Sequence, residues 1–287
     1  MATVTPSVAP AAAPPAKGRP RRPRVWRGVV LVVAALYFVV PLLASFVFTV
    51  DDPSTGFTLD AYGQIFSAEG FGRSLLLSLG LGLVTIALVL VLTLPAMIAV
   101  RLAAPRLRTP LEVVCTLPLV VPPITFVAGI STVLRWGPDY LASTPFYQTI
   151  IAVQNPDFPL VLVFAYVVLA LPFVYRSLDA GLGAIDVRTL SEAARNLGAS
   201  WPHVVFRVII PNLRSGLASA GFLTLALVLG EFTIAQLLSF QTFPVWIYTI
   251  SGSQAQVSVA VSVFSLLITW LLLLLLSSAG ARQRSGS

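Results

Sequence analysis

Six stretches of this sequence are apolar over about the length a helix needs to cross a bilayer, and that repetition constrains the fold more than any single motif. A hydrocarbon core about 30 Å thick takes roughly 20 residues of helix. Windows 28–50, 74–100, 113–134 and 257–278 carry no charged residue, and neither does the shorter window 158–175. The sixth, 215–240, is apolar except for Glu231. With 57% hydrophobic and 10% charged residues the chain leaves the soluble globular range. The expectation is an all-α integral membrane protein with six transmembrane helices. The first window is longer than the roughly 7–15 apolar residues of a signal peptide, so it reads as a retained span.

Placement of charge sets the orientation. Arginines cluster before the first window, between the second and third (Arg101, Arg106, Arg108), between the fourth and fifth, and after the sixth. The opposite side holds only Arg73 and Arg135, beside acids such as Asp51, Asp60 and Asp157. The excess of positive charge marks the cytoplasmic side, which puts both termini in the cytoplasm. A net charge of +7 would suggest nucleic acid in a soluble protein. Here no basic patch is interleaved with aromatics, so no nucleic-acid partner is expected. Residues 1–25 are Ala/Pro-rich and then basic, a composition that reads as a disordered tail near anionic lipid. Residues 26–69 make the first helix and an external segment, with a short surface helix near 59–66. The core spans 70–278, and 279–287 is a second cytoplasmic tail.

Prolines punctuate the core. Pro118, Pro122 and Pro123 each remove a backbone donor, so the third helix is expected to be kinked or broken there. Such a break belongs against protein or a watery path rather than lipid. Pro172 is expected to interrupt the fourth helix.

The segment between the fourth and fifth windows is not made for lipid. Leu190, Ala193, Ala194 and Leu197 recur at i, i+3, i+4, i+7, one face of a helix. Thr189 with Glu192 fits a capping box that would start it, and Gly198 supplies the left-handed residue that closes it. Ser200 can cap a second helix with Trp201, Val204, Val205 and Val208 on one face, ended by Pro211. The product is a jointed pair of amphipathic helices at about 189–211, each too short to persist alone in water. Either it lies on its own protein or the lipid interface, or it enters a groove on a partner.

Glu192, Ala193, Ala194, then Gly198, then Val208, Ile210 and Pro211 resemble the EAA loop of ABC-importer permease subunits. The family usually has Ile and Leu where Val208 and Ile210 stand. The preceding "LPFVYRSLDAGLGAIDVRTL" and the "LPLVVPPI" of the third helix are similar to the type I group. The resemblance covers about residues 70–278, and the layout looks most like the spermidine/putrescine branch. It implies a type I permease fold in the bacterial cell membrane. It also implies a dimer of separate ABC ATPase subunits, contacted through Glu192, Ala193, Ala194, Gly198 and Pro211. A second permease subunit, identical or related, and an extracytoplasmic solute-binding protein are the other implied partners. ATP and Mg are then used by the ATPase, and no cofactor is expected on this chain. A phosphate-binding loop needs a lysine after its glycines, and the one lysine is Lys17, in the tail.

Glu231 is the one acid deep in a window, so it is a candidate for the solute path, with Gln236 beside it. A carboxylate there suits a cationic solute such as a polyamine. The competing reading of Glu231 is an interfacial acid bonded to a neighbouring helix. His203 has no second histidine with which to hold a metal, and Cys115 reads as a small buried residue. An ion-gradient-driven secondary transporter or a channel is the rival function. Such a protein should carry paired discontinuous helices and more intramembrane charge. A membrane enzyme would need a catalytic cluster in the spans, and the sequence holds none.

Overall fold

The computed structural model describes residues 25–52 and 56–284. The tail expected over 1–25 lies, but for Val25, outside them. Contacts divide the chain inside its first helix, into a unit ending at Ala44 and a unit from Ser45 onward. The first described helix is α1 (Val25–Val50), whose apolar side chains up to Ala44 are exposed, as lipid-facing residues are.

The second unit is helical apart from a two-residue antiparallel pairing of β1 (Asp51–Asp52) with β2 (Gly56–Phe57). There follow α2 (Asp60–Gln64), α3 (Phe71–Leu102), α4 (Arg108–Thr116), α5 (Pro123–Tyr140), α6 (Phe146–Val153) and α7 (Leu160–Gly183). Then come α8 (Val187–Asn196), the short turns α9 (Trp201–His203) and α10 (Ile210–Asn212), α11 (Arg214–Gly230), α12 (Thr233–Leu237), α13 (Phe243–Ser251) and α14 (Ala255–Arg284). Gly28–Val50, Phe71–Leu102 and Leu160–Gly183 are each long and apolar enough to cross a membrane unaided. Two bent pairs pass the same test together, and α14 has 30 residues. Six candidate crossings result among the described residues.

Three expectations need correction. The third window is not one kinked helix: Pro105–Leu119 meets Pro123–Tyr140 at 98°. Pro122 sits extended (φ −61, ψ 139) as the N-cap, and Pro123 opens α5, where a missing N–H costs nothing. Pro172 does not interrupt the fourth helix; it lies buried inside a continuous α7, whose neighbours hold the helix together around it. The fifth window ends early, because α11 stops at Gly230 and leaves Glu231 in the break before α12. The tail expected from 279 is still α14 as far as Arg284.

The core is built where α3, α7 and α11 pack. Leu81 and Val89 from α3, Leu162, Val174 and Leu178 from α7, and Ala220 and Val228 from α11 are all fully buried or within 1% of it. Lipid is as apolar as leucine, so close approach rather than water exclusion holds such helices together. Gly181 and Gly216 provide it: a Cβ built on Gly216 would lie 3.2 Å from the Ser177 carbonyl oxygen. A second cluster joins α2, α13 and α14 around Ile65, Trp246 and Ala260. The Phe243 N–H, an orphan donor of the first turn of α13, donates to Ser78 Oγ on α3 at 2.8 Å.

Candidate functional site

The elbow begins one turn earlier than the capping box suggests. Asp186, not Thr189, is the N-cap of α8: its carboxylate accepts from Thr189 N at 3.1 Å and from Thr189 Oγ1 at 2.7 Å. Those bonds hold the Asp186 carboxyl below its ordinary range. Glu192 is free of the cap and instead accepts from Arg188 Nε at 2.9 Å, one turn back on the same helix. Both members of that pair are exposed, so it adds a few tenths of a kcal/mol at most.

The inward face of α8 also differs from expectation. Val187 and Ser191 are buried and Leu190 and Ala194 half-buried, while Ala193 is exposed and Leu197 is 89% exposed. The start one turn earlier lets Val187 lead the buried stripe. The joint behaves as read. Gly198 has φ +85, the Gly198 N–H donates to the Arg195 carbonyl, and the Ala199 N–H donates to the Ala194 carbonyl. This is a complete Schellman closure. Arg195 then donates to the Ala199 carbonyl at 2.8 Å and stacks over Trp201, 5.6 Å from the ring centroid.

Beyond the joint the helix is wider than an α-helix. Val204–Ile209 is π-helical, and the fully buried residues are Val204 and Ile209, five apart. Trp201 and Phe206 are exposed. Pro211 has no N–H to offer the Arg207 carbonyl, so the ordinary ladder fails where the π-helical run ends. The elbow encloses a cleft of about 410 Å³ with Leu102, the last residue of α3, whose walls include Ser191, Glu192, Arg195 and Trp201.

Next to it lies a cluster that sequence reading missed. Arg101 at the end of α3 donates to Asp179 Oδ1 at 2.6 Å and to the Asp179 carbonyl at 2.9 Å, while Arg108 on α4 reaches Oδ2 at 3.3 Å. The signal was available: opposite charges stand at the cytoplasmic ends of the second and fourth windows.

At the other end of α11, Glu231 has left the helix (φ −79, ψ 112). Its carboxylate accepts from the backbone N–H of Ile234 at 2.9 Å and of Ala235 at 3.3 Å. It therefore caps α12, and the half-buried acid is anchored by its own chain. Gln236 follows in α12, and its Oε1 is buried without a hydrogen-bond partner. Glu231 is in electrostatic contact with Tyr166 of α7, which is fully buried and whose hydroxyl also makes no well-formed hydrogen bond. A buried polar group left unpaired costs about 1–3 kcal/mol. No group of three or more His, Cys, Asp or Glu among the described residues could hold a metal.

Residues 104–283, well over half of the chain, match the model of the binding-protein-dependent transport system inner membrane component. The chain belongs to that family. As a binding-protein-dependent transport component it is an ABC importer permease subunit of the type I fold and a multi-pass protein of the bacterial inner membrane. Comparison with curated proteins finds no match. The matched part of this permease holds the elbow, the Glu231 break and α5, and it leaves α1 and α3 outside.

Proposed function

We propose that the elbow couples this permease to a dimer of separate ATPase subunits, which bind and hydrolyse ATP with Mg. Glu192, Ala193, Ala194 and Gly198 form the contact, and Pro211 sets the shape of the second leg. The observation that carries this reading is the elbow's outward surface. Ala193 and the 89% exposed Leu197 stand beside a rigidly closed joint, with Phe206 exposed on the leg beyond it. An amphipathic helix presenting apolar side chains outward on a fixed corner fits a partner's groove. Closure of the ATPase pair would move the corner, and with it α7 and α11, between inward- and outward-open arrangements of this subunit and a second permease. An extracytoplasmic binding protein would deliver solute to the outer mouth.

The solute path runs past Glu231 and Gln236, and a polyamine such as putrescine or spermidine suits the acid. Co-purification tests the coupling. The wild type should bring down an ATPase subunit, and Gly198→Pro with Glu192→Lys should lose it, since proline cannot adopt φ +85. Retention by the double variant rejects the elbow as the contact. The break at Glu231 is the feature that favours a gradient-driven transporter instead. Uptake that persists without ATP in sealed vesicles would select that alternative.

A further inference from the structure

We propose that Glu231, Tyr166 and Gln236 form a binding site for an alkylammonium group. This deepens the solute-path reading and rests on it. Depth places the first two residues together. The 17 residues of α11 carry the chain about 25 Å from the elbow, and Tyr166 lies about 9 Å along α7 from its outer end at Leu160. Both therefore fall in the outer part of the hydrocarbon layer, and they are in electrostatic contact.

The chemistry of the site is an excess of acceptors. Each Glu231 carboxylate oxygen takes one backbone N–H, which fixes its direction and leaves further lone pairs open. Glu231 joins no salt bridge among the described residues. The Tyr166 oxygen and Gln236 Oε1 are buried without partners. An alkylammonium brings three N–H donors and one positive charge to three oxygens and one negative charge. An anion would be repelled, and a neutral hydroxyl compound would leave the carboxylate uncompensated in a low-dielectric setting.

Capping alone does not account for the arrangement. A carboxylate at 231 needs only the two N–H groups of α12 to serve as a cap. Phenylalanine would fill the place of Tyr166 with no stranded hydroxyl. Tyrosine at a fully buried position facing the cap implies that its oxygen is used in a state that includes a ligand.

The test uses the full chain, purified with the subunits that accompany it, and butylammonium chloride as probe. Butylammonium should raise the unfolding temperature saturably, as a ligand bound to the folded state does. Equal concentrations of 1-butanol or sodium chloride should not. Tyr166→Phe keeps the ring, and Glu231→Gln keeps an oxygen for the Ile234 N–H, so both should fold. Each should raise the half-effect concentration at least tenfold. Equal half-effect concentrations in all three proteins, or equal protection by butanol, overturn the site. The transport reading is judged separately. Putrescine uptake unchanged by Tyr166→Phe leaves that reading standing and removes the site. Protection that needs both side chains, in an assembly with no ATP-driven uptake of putrescine, leaves the site standing and removes the polyamine.

Discussion

Arg101 holds Asp179 twice, through Oδ1 at 2.6 Å and through the backbone carbonyl at 2.9 Å, and so pins the end of α3 to α7 beside the elbow. The ion-pair side chains are 23% and 29% exposed, which shields them from full screening by water and salt. Arg108 meets the same carboxylate from α4 but is more than half exposed and adds less. Asp179→Asn should therefore cost about 1–3 kcal/mol of stability, since it strands a half-buried guanidinium. Arg101→Gln should cost a similar amount. The double variant should cost clearly less than both together, because the two changes remove one interaction. Unfolding in mixed detergent micelles measures all three, and strict additivity would mean that the clamp does not act as a unit.

Gly198 and Ser239 form a natural pair of opposites. Both sit at φ > 0 and close a helix, Gly198 at +85 and Ser239 at +62, and Ser239 is the one non-glycine residue there among the described residues. A Cβ on Gly198 would meet nothing within 4 Å, so only backbone strain opposes a side chain. Gly198→Ala should destabilise by about 1–2 kcal/mol, and Gly198→Asn by less. Ser239→Gly should stabilise by about 0.5 kcal/mol as the strain is relieved against added chain entropy. Thermal unfolding of the variants in one detergent gives the ranking. A neutral Gly198→Ala would show that the joint is not held closed in solution.

The helical bundle was legible because lipid demands a simple code: length, apolarity and the side on which arginines stand. The joint was legible too, since glycine at the end of an amphipathic run has one common use. What escaped were features that depend on partners distant in sequence or on the exact phase of a helix. Asp186 lies three residues before Thr189, and the chosen start one turn late shifted the whole face toward Leu197. Behind Trp201, a π-helical run moved burial from Val208 to Ile209, which a period of 3.6 cannot foresee. Glu231 was singled out correctly as unusual. Its anchoring by Ile234 and Ala235 required the helix to break, and apolar residues on both sides concealed that break. Tyr166 looked like any aromatic in a span until its hydroxyl was found unpaired.

The cap at Asp186 makes the elbow sensitive to acid. Its carboxyl is held below the ordinary range, first by the Thr189 hydroxyl and then by the Thr189 backbone N–H. A group with a depressed folded-state pKa contributes stability above its unfolded pKa and loses it as pH falls through the folded value. Amide exchange in α8 should thus be slow at neutral pH and quicken below the usual carboxylate range, relative to the buried core of α7. Asp186→Asn retains an acceptor oxygen and should remove that pH dependence while keeping much of the protection. Identical acid profiles for the wild type and Asp186→Asn would assign the change to another carboxylate.

Close approach of α7 and α11 is the most demanding geometry in the bundle. A Cβ on Gly216 would stand 3.2 Å from the Ser177 carbonyl oxygen and 3.4 Å from Gly181 Cα, both of them backbone atoms that move only with their helices. Gly216→Ala should therefore cost about 1–3 kcal/mol despite alanine's better helix propensity, because separating the helices forfeits packing that lipid does not replace. Gly216→Val should cost more and lower the yield of folded protein. Gly221 on the same helix is the internal control: a Cβ there meets only Ile86 Cγ2, at 3.7 Å, an ordinary contact. Gly221→Ala should be neutral or stabilising by up to about 1 kcal/mol. If the two alanine variants unfold alike, propensity rather than backbone contact governs this interface, and the elbow would lose its rigid connection to α7 through α11.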